Sequence, residues 1–262
     1  MGPLRITLLG TGTSHGIPMI GCDCAVCAST DPHDKRTRTS VLVQTADAAI
    51  LIDTPPELRM QCLANDVRRV DGILYTHQHA DHITGLDDLR RFNALQRTAL
   101  TCYANAQTAH VLQRMFPYAF TNDPAYPSAK PELHLKEIDG PFEINGVTIT
   151  PIPLLHGHLP ILGFRIGRFA YCTDCSTIPE ESFALLAGLD VLVLDALRIR
   201  PHPTHFNLEQ AIEAARRIGA RQTFFTHIAH ELSHAQTNAG LPDNMALGYD
   251  GQVIDVCDGP QP

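Results

Sequence analysis

The chain has 262 residues, of which 44% are hydrophobic and 18% charged, with a formal net charge of −8. That is enough apolar material for a substantial core, and the length suits one large α/β unit. No apolar run approaches the ~20 residues of a membrane span, no basic-then-apolar leader opens the chain, and the acidic balance disfavours nonspecific binding to a polyanion, so a cytoplasmic protein without membrane or stable nucleic-acid partner is expected.

In chain order, residues 4–9 read as a strand that ends in the turn Gly10-Thr11-Gly12-Thr13-Ser14. A long polar loop follows, carrying a cysteine triplet and the basic residues Lys35, Arg36 and Arg38. Residues 40–44 and 48–52 form a hairpin that turns near Asp47. Pro55-Pro56 opens a helix to about Asn65. Residues 72–75 are a buried strand running into a histidine-dense loop, and residues 83–97 have helical character. A strand at 101–104 and a helix at 107–115 lead into 116–131, a loop rich in prolines and aromatics, of a length common in lids and binding elements. Short strands are then expected at 133–138, 142–144, 147–152, 163–166 and 170–172. Helix, strand, helix and strand follow at 180–187, 191–194, 208–218 and 222–225, and residues 246–256 supply a last strand. Hairpins interleaved with helices in two similar halves predict two mixed sheets packed together with helices on the outer faces, in one domain spanning 1–262.

Fourteen histidines and eight cysteines are the unusual counts. In Thr76-His77-Gln78-His79-Ala80-Asp81-His82, three imidazoles and a carboxylate crowd the end of a strand. Core packing cannot place all of them, whereas neutral imidazoles beside a carboxylate suit a divalent cation such as zinc or manganese. His156, Asp174 and His227 each follow a predicted strand as well, so their side chains are expected at the same sheet edge. Cys22, Cys24 and Cys27 form a C-x-C-x-x-C run able to wrap one tetrahedral zinc with a fourth ligand from elsewhere, a closed structural site stapling a loop at about 12–38. Cys62, Cys102, Cys172, Cys175 and Cys257 read as small buried hydrophobes. His33, His110, His134, His202 and His234 read as ordinary polar residues, while His15, His158 and Asp195 stay open.

The H-x-H-x-D-H run followed by His, Asp and His resembles the signature of the metallo-β-lactamase superfamily. The resemblance covers nearly the whole chain and implies an αββα sandwich. It further implies that His77, His79 and His156 hold one catalytic metal, that Asp81, His82 and His227 hold a second, and that Asp174 bridges both. Asp53, in Ile-Leu-Ile-Asp-Thr-Pro, matches an early acidic motif that orients ligands from behind. By the same resemblance His230 is the fourth ligand of the cysteine site. The Gly-rich opening, the Gly21-Cys22-Asp23-Cys24 run and Pro203-Thr204-His205-Phe206-Asn207 are similar to the phosphonate-catabolism branch of the superfamily, the phosphoribosyl cyclic phosphodiesterases.

That branch implies two catalytic divalent metals (manganese or zinc), one structural zinc and a homodimer. It also implies hydrolysis of 5-phosphoribosyl 1,2-cyclic phosphate, a small phosphorylated sugar, to ribose 1,5-bisphosphate. A hydroxide shared by the metals would attack phosphorus, Asp81 would serve catalysis as well as ligation, and His205 would be the general acid. Arg36, Arg38, Arg198 and Arg200 are the sequence's possible anchors for the distal phosphate. Three alternatives use the same ligands or fold: a tRNA 3′-processing endonuclease, for which a long basic RNA-gripping arm is missing from the sequence, a thioester hydrolase or lactamase, and a noncatalytic metal-binding scaffold.

Overall fold

The structure, a computed structural model, describes residues 2–121 and 129–256. Two seven-stranded mixed sheets form its frame. In the first, β1 (Leu4–Gly10), β2 (Ser40–Gln44) and β3 (Ala49–Ile52) run antiparallel, and β4 (Gly72–Leu74), β5 (Leu100–Ala104) and β6 (Leu133–Glu137) continue in parallel. The helices α1 (Leu58–Ala64), α2 (Ala80–Ile83), α3 (Arg90–Gln96) and α4 (Ala106–Met115) lie between those strands in the chain. The second sheet repeats the plan. Antiparallel β7 (Phe142–Ile144), β8 (Val147–His156), β9 (Leu159–Ile166) and β10 (Phe169–Cys172) lead into parallel β11 (Val191–Asp195), β12 (Gln222–Thr226) and β13 (Met245–Leu247), with α5 (Glu180–Leu185), α6 (Leu208–Ile218) and α7 (His234–Asn238) intervening. A final strand, β14 (Gln252–Val256), returns to the first sheet beside β1.

The layers follow from which faces are apolar. Ile6, Leu8, Val43 and Ile50 of the first sheet meet Ile149, Phe164, Phe169 and Val193 of the second in one buried cluster. The opposite face of the first sheet, with Leu42, Leu51 and Ile73, is covered by Leu58, Phe92 and Leu112 from α1, α3 and α4. Leu154, Leu192 and Leu194 on the outer face of the second pack with Ala211 and Ala215 of α6. Strands buried on both faces read as unbroken apolar runs rather than alternation, as Ala-Ile-Leu-Ile of β3 and Val-Leu-Val-Leu of β11 show. Each such side chain contributes roughly 1.5–3 kcal/mol by leaving water. The result is the αββα sandwich that the sequence led us to expect.

Three local expectations are corrected. Residues 246–256 are not one strand. The chain leaves β13 at Gly248, whose N–H donates to the Phe225 carbonyl at 2.8 Å, and joins β14 after Gly251, whose N–H donates to the Leu8 carbonyl at 2.7 Å. A Cβ on Gly248 would stand 3.0 Å from that Phe225 oxygen and 2.7 Å from Leu8, so the crossover between sheets needs glycine there. Strands β8 and β9 are longer than the sequence suggested, because Pro151, Pro153 and Pro160 are accommodated inside the hairpin. Helix α7 had no apolar periodicity to announce it and has no buried residues. The 116–131 loop lies partly outside the described residues, as does Cys257.

Candidate metal centre and active site

Parallel strands end on a common edge, and ligands of open α/β sheets gather outside their carboxyl ends. Here Asp53 follows β3, the His77–His82 run follows β4 and enters α2, and His156 ends β8. Asp174 follows β10, Asp195 ends β11 and His227 follows β12. Asp53, Asp174 and His227 have φ of 62°, 57° and 58°. Left-handed backbone at a residue other than glycine costs on the order of 1–3 kcal/mol and persists where surrounding structure over-determines it. Three such residues at one edge turn their side chains where a continued strand would not.

The ligand-capable atoms of His77, His79 and His156 all lie within 4.8 Å of one another, as do those of Asp81, His82, Asp174 and His227. His77 Nε2 is 3.0 Å from His79 Nδ1. His156 Nδ1 donates to the Thr204 carbonyl at 2.7 Å, which fixes the tautomer and leaves Nε2 as an acceptor. Burial, before any other influence, holds His77, His79 and His156 below the usual imidazole range, in the neutral form that ligates. Asp174 stands between the two groups. Its Oδ1 is 3.1 Å from His227 Nε2 and 4.0 Å from His77 Nε2, and its Oδ2 is 3.3 Å from His82 Nε2.

Behind the second group Asp53 is completely buried. It accepts from the Thr76 amide at 2.8 Å and from the Thr76 hydroxyl at 2.8 Å, and it holds His82 Nδ1 at 2.7 Å. His82 Nε2 is thereby aimed at Asp81 and Asp174, 3.5 and 3.3 Å away. Burial would lower the His82 pKa, yet Asp174, Asp81 and Asp53 together raise it well above the ordinary value. The pocket therefore calls for positive charge. Among the described residues, His82 Nε2 and both ring nitrogens of His227 are buried without a well-oriented hydrogen bond, as expected of ligand atoms meant for a cation. Imidazole and carboxylate donors in this ratio fit divalent zinc, manganese or iron. Asp53→Asn is expected to lower metal affinity or activity about 10- to 100-fold. Metal content after dialysis and the initial rate would check this, and wild-type values for both would remove Asp53 from its orienting role.

His205 is buried beside both groups, its ring 4.5 Å from that of His156 and 4.6 Å from that of His227. Asp195, which the sequence left open, faces it: Oδ1 is 3.4 Å from His205 Nδ1, and Oδ2 accepts from the Phe206 amide at 3.0 Å. The position is set from the other side by α6. The Asn207 side chain accepts from the Gln210 amide at 2.9 Å, and the Gln210 side chain accepts from the Asn207 amide at 3.1 Å, a reciprocal cap that fixes the residues just before the helix. His158 is exposed, and His15 is exposed on the Gly-rich turn. The role of Thr204 was invisible in the sequence, because it acts through a backbone carbonyl.

The cysteine run meets His230 across more than 200 residues of chain. His230 Nδ1 lies 3.2, 3.3 and 3.8 Å from the sulfurs of Cys22, Cys24 and Cys27. Such separations suit a tetrahedral ion with bonds of ~2.0–2.3 Å. The Cys27 amide, donating to Cys24 Sγ at 3.4 Å, is the main cause drawing the Cys24 thiol down to about 6, while burial pushes Cys27 up to about 11. The 227–231 turn then joins this cluster to the rest of the site. Ile228 bonds Thr11 and Thr13 of the Gly-rich turn at 2.9 and 3.0 Å, Ala229 N–H donates to the Leu197 carbonyl at 2.8 Å, and Glu231 pairs with Arg200 at 2.7 Å. Cys24→Ala is expected to remove a bound zinc and to lower the melting temperature by roughly 5–10 °C, by analogy with losing 2–3 kcal/mol. Loss of activity with zinc content and melting unchanged would show the cluster to be something other than a staple.

Among known proteins, the model of the beta-lactamase superfamily domain matches residues 48–228. A solved structure described as a new diphosphatase from the PhnP family is 43% identical, with 97% of this chain and 98% of that one aligned and a TM-score of 0.91. An octanoyltransferase of Porphyromonas gingivalis is 40% identical over 253 residues, covering 95% of this chain and 51% of that protein, so the chain spans about half the length of this relative. A ribonuclease Z of Mycobacterium sp. is 26% identical over 97% of this chain and 96% of its own length. With an αββα sandwich, two donor clusters at the shared strand edge and this likeness over nearly the full length, the chain belongs to the beta-lactamase superfamily and, within it, to the PhnP family.

Proposed function

We propose that the protein is a dinuclear-metal phosphodiesterase that opens a small cyclic phosphodiester, 5-phosphoribosyl 1,2-cyclic phosphate, to ribose 1,5-bisphosphate. The observation that carries this reading is a buried histidine, His205, beside two donor clusters, with Asp174 in the second and 4.0 Å from His77 of the first. Two divalent cations bound there would supply charge neutralisation of the phosphate and acidify water. The chain's own residues do the rest. Asp53 and the Thr204 carbonyl keep His82 and His156 aimed inward. Asp195 holds His205 in place. As a water oxygen bonds to phosphorus and gives up a proton to Asp81, the bond to the ribose 2-oxygen breaks and His205, in its protonated form, delivers a proton to that departing oxygen; the proton on Asp81 then passes to solvent, from which His205 is reprotonated. Ring strain in the cyclic phosphate lessens what the protein must contribute.

One observation favours a second reading. The 43% identical relative is described as a diphosphatase, and the same donor clusters would suit hydrolysis of a diphosphate. Processing of tRNA ends, the alternative raised by the sequence, fits less well with a net charge of −8 and a sequence without a basic arm, although a ribonuclease Z is among the relatives. Phosphorus NMR of the cyclic phosphate with manganese- or zinc-loaded protein decides between them. Loss of the cyclic signal with growth of a monoester signal supports the proposal. A persistent cyclic signal alongside cleavage of a nucleoside diphosphate would replace it with the second reading.

A further inference from the structure

Next to the donor clusters lies a cavity of about 300 Å³, at the small end of the range for ligand sites. Its walls are the Gly-rich turn with Ser14 and His15, the segment from Leu197 to His205, and the 229–231 turn. His205 belongs to this wall and also lies within reach of His156 and Asp174, so the cavity adjoins the reacting centre.

The four arginines that the sequence left as anchors are separated by their surroundings. Arg36 is 2% exposed and donates to the Thr11 hydroxyl at 2.7 Å and to the Gly248 carbonyl, behind the Gly-rich turn. Arg38 pairs with Glu57 and donates to the Ser14 carbonyl at 3.0 Å. Arg200 is exposed and spends its charge on Glu231 at 2.7 Å. Arg198 lines the cavity, is half-buried, and has no carboxylate partner among the described residues. Its Nε donates to the Arg200 carbonyl at 3.1 Å and its Nη2 to the Pro201 carbonyl at 2.9 Å. These bonds hold the guanidinium in place without an ion pair of its own: Glu231 of the same wall, on which the Arg198 charge also acts, is paired with Arg200.

We propose that Arg198 is the anchor for a second, terminal phosphate of the substrate, which makes this cavity the specificity site of the enzyme. A planar, always-charged and prepositioned guanidinium is suited to the oxygens of a phosphate monoester. The inference rests on the phosphodiesterase reading for the identity of the substrate, while the anchor itself can be tested without turnover.

Ribose 5-phosphate is the probe, titrated calorimetrically into metal-loaded wild type, Arg198→Gln and Arg198→Lys. Arg198→Gln is expected to weaken binding about 10- to 100-fold, with part of the loss restored by lysine. In turnover, the fall in kcat/KM for phosphoribosyl cyclic phosphate is expected mainly in KM. It should be at least tenfold larger than the fall for bis(p-nitrophenyl) phosphate, which has no second phosphate. Undetectable binding by the wild type, wild-type affinity in Arg198→Gln, or equal losses on both substrates would overturn the anchor. Arg198-dependent binding of ribose 5-phosphate by a protein that leaves the cyclic phosphate intact would support the anchor and sink the substrate proposed above.

Discussion

Asp174→Ala is expected to reduce hydrolysis by on the order of 10³-fold or more, since on the reading proposed above its carboxylate would serve both clusters and metal chemistry of this kind is worth several kcal/mol. The expectation comes from its position. Asp174 lies 3.1 Å from His227 Nε2 and 3.3 Å from His82 Nε2, and 4.0 Å from His77 Nε2 in the other group. Burial alone would raise its pKa, but His227, His82 and His77 outweigh burial and keep it ionised, well below the usual carboxylate range. Removing it leaves His82 and His227 facing Asp81 alone, at 3.5 and 3.8 Å, and takes away the carboxylate nearest His77. The three apolar clusters do not include Asp174, so the fold should survive. The checks are metal stoichiometry by mass spectrometry, melting by circular dichroism and turnover by phosphorus NMR. A variant within tenfold of wild-type turnover would show that the carboxylate is not shared.

For His205→Ala the expected loss is about 10²- to 10⁴-fold on the cyclic phosphate, the range for one positioned proton donor. The diagnostic feature is its dependence on the leaving group. A ribose oxygen leaves as a strongly basic alkoxide and needs the proton, whereas p-nitrophenolate leaves without one. The same variant should therefore lose far less on bis(p-nitrophenyl) phosphate. Equal losses on both substrates would mean that His205 binds substrate or metal instead of moving a proton. Its ring is close enough to those of His156 and His227, at 4.5 and 4.6 Å, for that outcome to be a real test.

Much of the site was legible before the fold. In the run from His77 to His82, donor type and spacing are local properties, and a strand followed by a short helix places them at one edge whatever the rest of the chain does. The same holds for the cysteine run, where the three sulfurs come from a six-residue stretch between Cys22 and Cys27. Position after predicted strands, together with family resemblance, extended the reading to His156, Asp174 and His227, and resemblance alone to His230; the structure brings all four to these clusters.

What the sequence determined by itself was chemistry carried by side chains at short range: apolar strands, a helix with its cap at Asn207, and donor-rich turns after strands. Only the tertiary structure decided which Arg faces the site, that Thr204 lends a carbonyl to His156, and that the chain crosses from one sheet to the other at Gly248. A backbone carbonyl is the same in every residue, so no residue type announces such a partner. An arginine's charge likewise has one meaning when it pairs with a glutamate, as for Arg200, and another when its hydrogen bonds go to backbone carbonyls, as for Arg198. Those neighbours are brought together by sheet packing between distant segments, and local sequence does not encode that distance.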